Sequence, residues 1–211
     1  LKHMPVCDFQ IAAGGLPGIL RKSDADFPVV NSLAVVDRMQ ALRWRERLDT
    51  LGPGLKVGVA WRGGTLERFK RTKSSVLTEW RQIFEVDGVQ FVNLQYGNCH
   101  DDLKYMKNMG IIIHNFDDLD AIAAPDEQMA LISELDLVIQ TSNASAHMAG
   151  ILGVPVWNII PYVADWRWGR ETEACLWYAS MRLFRQSKLG EWNAVLSRAA
   201  AELRNLASQD N

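Results

Sequence analysis

The sequence predicts an α/β protein: a Rossmann-like parallel sheet flanked by helices. Three observations carry that prediction. From residue 52 to about 188, short apolar runs of strand length alternate with amphipathic helical patterns. The connections between them are short, and the runs have the texture of buried strands, as a parallel sheet covered on both faces requires.

Residues 1–31 carry Gly14-Gly15, Pro17-Gly18 and Pro28, which punctuate loops, around an apolar run at 6–13 that reads as one strand and a connector. Residues 34–51 place Val35, Val36, Met39, Leu42 and Leu48 at roughly helical spacing. Gly52-Pro53-Gly54 stops that pattern, so 32–51 is a linking helix. Strands are expected at 55–61 (LKVGVAW), 89–95 (VQFVNLQ), 111–114, 137–140 and 154–160 (VPVWNII), about five in all. Helices are expected between them at 76–84, 101–109, 126–134 and 144–152. A closing helix within 189–211 places Trp192, Val195, Leu196, Ala199, Leu203 and Leu206 on one stripe. The α/β domain therefore spans 52–188.

Composition narrows the function. With 48% apolar and 23% charged residues, the 211-residue chain is an ordinary globular protein with a real core. Its 23 basic and 25 acidic residues give a net charge of −2, which supplies no field for binding nucleic acid. No uninterrupted apolar stretch reaches the roughly 18 residues of a membrane span, since Asn158 and Pro161 break the nearest. Cys7, Cys99 and Cys175 are too widely spaced for a zinc site and read as free thiols in a reducing compartment, which places the protein in the cytoplasm. The chain opens at Leu1 on a mixed segment without the pattern of a signal peptide, so a missing N-terminal part is expected.

In an open parallel sheet, ligands bind beyond the carboxyl ends of the strands. After the first strand come Arg62-Gly63-Gly64 and then Lys70-Arg71-Thr72-Lys73-Ser74-Ser75, cations and hydroxyls suited either to a phosphate or simply to solvent. After the second, Gln95-Tyr96-Gly97 leads to Asn98 and Asp101, candidates for a cap or a ligand contact; His100 lacks the further ligands a metal needs. After the third, Asp117, Asp118 and Asp120 lack the EF-hand pattern and read as an exposed acidic turn. The fourth loop, Thr141-Ser142-Asn143-Ala144-Ser145-Ala146-His147, opens a helix of small residues. Its backbone N–H groups would hold an anion, with Ser142, Asn143 and Ser145 adding hydrogen bonds, or Ser142 or Asn143 is simply an N-cap. The fifth places Asp165, Trp166, Arg167 and Trp168 together. That set suits a sugar or a base, or packs at the rim with Asp165 paired to Arg167 or Arg170.

The ordered series VGVAWRGG, NLQYG, LDLVIQTSNASAHMAGILGVPVWNIIPYVADWRWG and MRLFRQ, followed by a tryptophan-bearing helix, resembles the C-terminal half of bacterial glycosyltransferases associated with tetratricopeptide repeats. These are related to lipopolysaccharide heptosyltransferases (glycosyltransferase family 9) and distantly to protein O-linked N-acetylglucosamine transferase. The resemblance, spread over most of 32–206, implies a GT-B fold: two Rossmann-like domains, with the nucleotide-sugar donor in the C-terminal one and no metal. It implies that residues 1–31 are the tail of an N-terminal domain that supplies the acceptor and usually the base, and that the final helix crosses onto that domain. It assigns Arg62, Lys70, Arg71 and Lys73 to the donor diphosphate and Gln95 to the cleft floor. Ser142, Asn143, Ala144 and Ser145 fall at the phosphate-binding helix start, His147 one turn in, and Asp165 and Trp166 at the cleft edge. Where the family reads Asp-Thr, this chain has Ser142-Asn143. The resemblance thus points to a glycosyltransferase or its donor-binding part; a noncatalytic nucleotide-binding or structural module is the alternative. If the last helix rested on an absent domain, its exposed stripe would favour a homodimer.

Overall fold

The computed structural model describes residues 7–63 and 74–209. Six strands form one wholly parallel sheet: β1 (Leu55–Ala60), β2 (Val89–Asn93), β3 (Ile113–His114), β4 (Leu137–Thr141), β5 (Val156–Ile160) and β6 (Met181–Arg185). Five lie where the sequence predicts strands. The sixth is an addition, hidden in the sequence because Arg182 and Arg185 interrupt its apolar run. Its outer edge is covered: Leu183 N donates to Glu173 O at 2.7 Å, and Ala174 forms an antiparallel bridge with Arg182.

The helices are α1 (Leu16–Leu20), α2 (Arg38–Asp49), α3 (Arg81–Phe84), α4 (His100–Asn108), α5 (Pro125–Ser133), α6 (Ala144–Leu152) and α7 (Trp192–Gln209). Asp37 caps α2 by accepting from Gln40 N at 2.9 Å, which is why this helix starts later than its apolar periodicity. The pattern at 76–84 divides into a 3-10 turn, Leu77–Trp80, and the single turn α3. The expected strand at 6–13 is not formed over its described residues, 7–13. Phe9 and Ile11 there are exposed and pair with no strand, and the chain passes instead into a 3-10 turn, Ala13–Gly15, and α1.

Alternation along the strands sends side chains to two cores. Val57, Val59, Leu137 and Ile139 meet Leu77, Trp80, Ile83, Met106 and the stripe of α7 on one face. Ala60, Val92, Val138 and Val156 meet Trp44 and Leu48 of α2, Leu131 and Ile132 of α5, and Ala146 and Ala149 of α6 on the other. This corrects the expectation for the last helix. Trp192, Val195, Leu196, Ala199 and Leu203 are buried against their own sheet and only Leu206 of the stripe is exposed, so the stripe is not the open face that self-association would cover.

The most exposed apolar side chains instead lie toward the N-terminus, with Phe9, Val29 and Val35 each more than four-fifths exposed. That segment is tied to the body at its far end. Leu33 N donates to Ile151 O at 2.7 Å, and Phe27 meets Trp177 edge-on at 5.0 Å. Gly153, left-handed at φ +77°, ends α6 and leaves room for the Asn31 carbonyl, where a Cβ would collide.

The strand order is β3-β2-β1-β4-β5-β6. It reverses direction between β1 and β4, and the crevice outside their carboxyl ends is where this architecture binds ligands.

Candidate functional site

Two loops meet at that crevice. Asn143 caps α6, its Oδ1 accepting from Ser145 N at 3.0 Å, while its Nδ2 donates across the crevice to Arg62 O at 3.2 Å. Of the two caps open to the sequence, the structure thus uses Asn143. Gly63 lets the backbones touch: a Cβ there would sit 2.7 Å from Ser142 O. Gln95, buried, fixes the other loop from below, its Oε1 accepting from Trp61 N at 3.1 Å and Arg62 N at 2.8 Å. Ala144, exposed at the first turn of α6, puts no bulk between the helix start and an approaching group.

On the β5 side the loops are bound to one another. Trp168, 1% exposed, donates its indole N–H to Ser142 Oγ at 2.9 Å and stacks on His147 with centroids 5.2 Å apart and planes 24° apart. His147 Nδ1 lies 3.0 Å from Tyr178 Oη, and burial pushes the Tyr178 phenol up, so it stays protonated. Gln128 Nε2 donates to Ser145 Oγ at 3.1 Å. Arg185 donates to the carbonyls of Trp168 and Gly169. At the rim, Asp165 takes the backbone N–H of Arg167 at 3.1 Å and pairs with its guanidinium at 3.0 Å. Trp166, 56% exposed, lies under Arg167 and edge-on to Trp177.

On the β2–β3 side lies an open cleft of about 530 Å³, reaching from Gln95 and Tyr96 past Cys99 to Asn115 and Phe116. Its acidic rim is occupied structurally. Arg47 hydrogen-bonds Asp118 and holds its carboxyl below the usual range, and the N–H groups of Ala123 and Ile122 do the same for Asp120. Burial pushes the Cys99 thiol up, which keeps it protonated. Among the described residues, no three His, Cys, Asp or Glu side chains are grouped to hold a metal ion.

The structure therefore brings Arg62, Gln95, Ser142, Asn143, Ala144 and Ser145 to one crevice, with His147 behind them and Asp165 and Trp166 at a rim. The Arg62 guanidinium lies on the α4 side, against Asn98 O at 2.9 Å and Asp102 at 3.1 Å; Asp102 also accepts the Trp61 indole N–H. Lys70, Arg71 and Lys73 lie outside the described residues. Sequence reasoning passed over Tyr178 and Gln128, and it weighed Trp168 only as a stacking surface or as rim packing. A buried tryptophan needs a partner for its N–H, and that need was the available signal at Trp168.

Comparison with known proteins gives the following. No family model matches the chain. Protein FlbA of Caulobacter vibrioides is 33% identical over 202 residues, which is 95% of this chain. The chain spans about a third of that relative's length, 34%. Among solved structures, the ADP-heptose lipopolysaccharide heptosyltransferase II of E. coli superposes with a TM-score of 0.57 at 15% identity, over 90% of this chain and 58% of that one. A glycosyl transferase family 9 protein from Veillonella parvula aligns at 12% identity and a TM-score of 0.48, over 83% and 52% of the two chains. The chain thus shares the fold of the part of the E. coli heptosyltransferase that it covers. No helix among the described residues is long and apolar enough to cross a membrane.

Proposed function

We propose that this chain is the donor-binding part of a GT-B glycosyltransferase, holding a nucleotide-diphosphate sugar whose glycosyl group passes to an acceptor presented by a second domain. One observation carries the reading. At the sheet's switch point, the capped N-terminus of α6 touches the β1 loop through Asn143 and Gly63, and a 530 Å³ cleft opens alongside. The diphosphate rests at the helix start and the nucleoside enters the cleft over Gln95. As the glycosyl bond breaks, charge grows on the leaving diphosphate. Without a metal, the helix N–H groups, Ser142 and the cations of the β1 loop, Lys70, Arg71 and Lys73 among them, stabilise it.

The fold shared with part of the heptosyltransferase supports this reading, as does the resemblance of the ordered motif series to transferases associated with tetratricopeptide repeats. The exposed apolar residues of the N-terminal segment fit a surface that meets the second domain. One observation favours a second reading, a noncatalytic nucleotide-binding module. The Arg62 guanidinium is already paired with Asp102, and the Ser145 hydroxyl is buried and accepts from Gln128.

Calorimetric titration with UDP, GDP, ADP and CMP, and with a UDP-sugar, tests the reading. Saturable binding of one nucleotide is expected, weakened by about 1–3 kcal/mol in Lys73→Ala or Arg71→Ala, as for lost charge-assisted bonds. Absence of binding by every nucleotide overturns it. Sugar transfer to an acceptor when the second domain is supplied separates enzyme from module.

A further inference from the structure

The tryptophan beneath the α6 turn does more than fill space. A hydroxyl has one proton and two acceptor lone pairs, and the proton rotates to suit its surroundings. At Ser142 the Trp168 indole N–H occupies a lone pair at 2.9 Å, along a direction fixed by a ring that cannot turn. The ring is 1% exposed and stacked on His147; His147 is held by Tyr178, and the Trp168 carbonyl by Arg185. The indole is a donor only, so it cannot receive the Ser142 proton. The proton must point elsewhere, and Ser142 is half-exposed, with its backbone carbonyl against Gly63 of the β1 loop.

We propose that Trp168 is a positioning residue for the diphosphate site: by donating to Ser142 Oγ, it commits that hydroxyl to donate outward to a phosphate oxygen. The inference rests on the donor-site reading above and deepens it. It also explains how the turn works with Ser142-Asn143. Asn143 is engaged in capping α6 and on the Arg62 carbonyl and Ser145 is buried, so Ser142 is the half-exposed hydroxyl of the turn, oriented from the β5 loop. A donor chain from indole to hydroxyl to anion strengthens each link through mutual polarisation.

The test follows the Trp168 indole N–H by NMR in ¹⁵N-tryptophan-labelled protein, the signal being assigned by its loss in Trp168→Phe. Inorganic pyrophosphate, and whichever nucleotide diphosphate binds, serve as probes. Either should move the Trp168 signal in the unmodified chain and leave it unmoved in Ser142→Ala. Trp168→Phe should weaken pyrophosphate binding several-fold, and that loss should vanish in the Ser142→Ala background, with Ser142→Thr restoring it. A merely structural tryptophan would give additive losses in the double variant, or an indole signal indifferent to the probe, and either result overturns the proposal. If Trp168→Phe fails to fold, Trp168→Tyr assigns the signal instead, and the indole response in Ser142→Ala still decides. Failure of the unmodified chain to bind any probe overturns the donor-site reading together with this inference; binding with additive losses overturns this inference alone.

Discussion

The two flanks of the switch point are built differently. On the β5 side, Ser142, His147, Trp168, Tyr178 and Arg185 form a closed set in which each side chain is held by the next. On the β2–β3 side, the loops stand apart around an open cleft, and their carboxylates are tied to their own turns or to Arg47. The difference matches what a nucleotide-diphosphate sugar demands. A diphosphate has one shape and one charge and is best met by groups fixed in advance, since preorganised donors need no reorganisation as charge develops. A nucleoside presents a larger, mostly flat surface, for which room matters more than rigidity.

Substitutions can break that contrast. Trp168→Ala, on the closed side, should cost about 3–5 kcal/mol in chemical denaturation, as for other buried aromatic truncations. Phe116→Ala in the cleft wall should cost clearly less, because its ring is only partly buried. Equal losses would mean that the two flanks are equally rigid. Gly63→Ala forces a methyl against the Ser142 carbonyl, and strain of about 1–3 kcal/mol is expected, with diphosphate affinity falling at least as far as stability. Asn143→Ala should cost about 1–2 kcal/mol through the lost cap. Asn143→Asp should recover the cap while losing the amide bond to Arg62 O, so a melting comparison of the two variants isolates the crossing contact.

The smallest effect is expected on the open side, at His114. Burial, assisted by Lys56, pushes its imidazole below the ordinary value, so the folded state resists protonation. Below about pH 6.5 the unfolded chain binds the proton first, and stability falls as pH drops toward the folded value. His114→Gln should flatten that part of the stability–pH curve; an unchanged slope would assign it to other groups.

Much of this was legible in the sequence, for physical reasons that can be named. Strands buried on both faces leave continuous apolar runs, so β1, β4 and β5 were plain. Strand β6 was not, because Arg182 and Arg185 lie at a sheet edge, where long side chains reach solvent along a strand. The apolar residues Phe9 and Ile11 of the run at 6–13 pair with no strand, and a strand exists only by pairing. At the candidate site, the sequence pointed to Ser142, Asn143 and Gln95 because turns after strands are where ligands bind in this architecture. What they bond to was not, since the partners Trp168, Gln128 and Arg62 lie 26, 17 and 81 residues away from the groups they meet. The exposed Trp166 drew attention that belonged equally to its buried neighbour Trp168.

The central claim is that the crevice between β1 and β4 holds a nucleotide diphosphate, and amide NMR mapping with UDP, GDP and ADP in turn tests it most directly. The account predicts shifts concentrated at Gly63 and Ser142 to Ala144, with a second set at Tyr96 to Cys99. Shifts confined to the opposite end of the sheet, around the charged hollow of Arg45, Lys56 and Asp136, would contradict it.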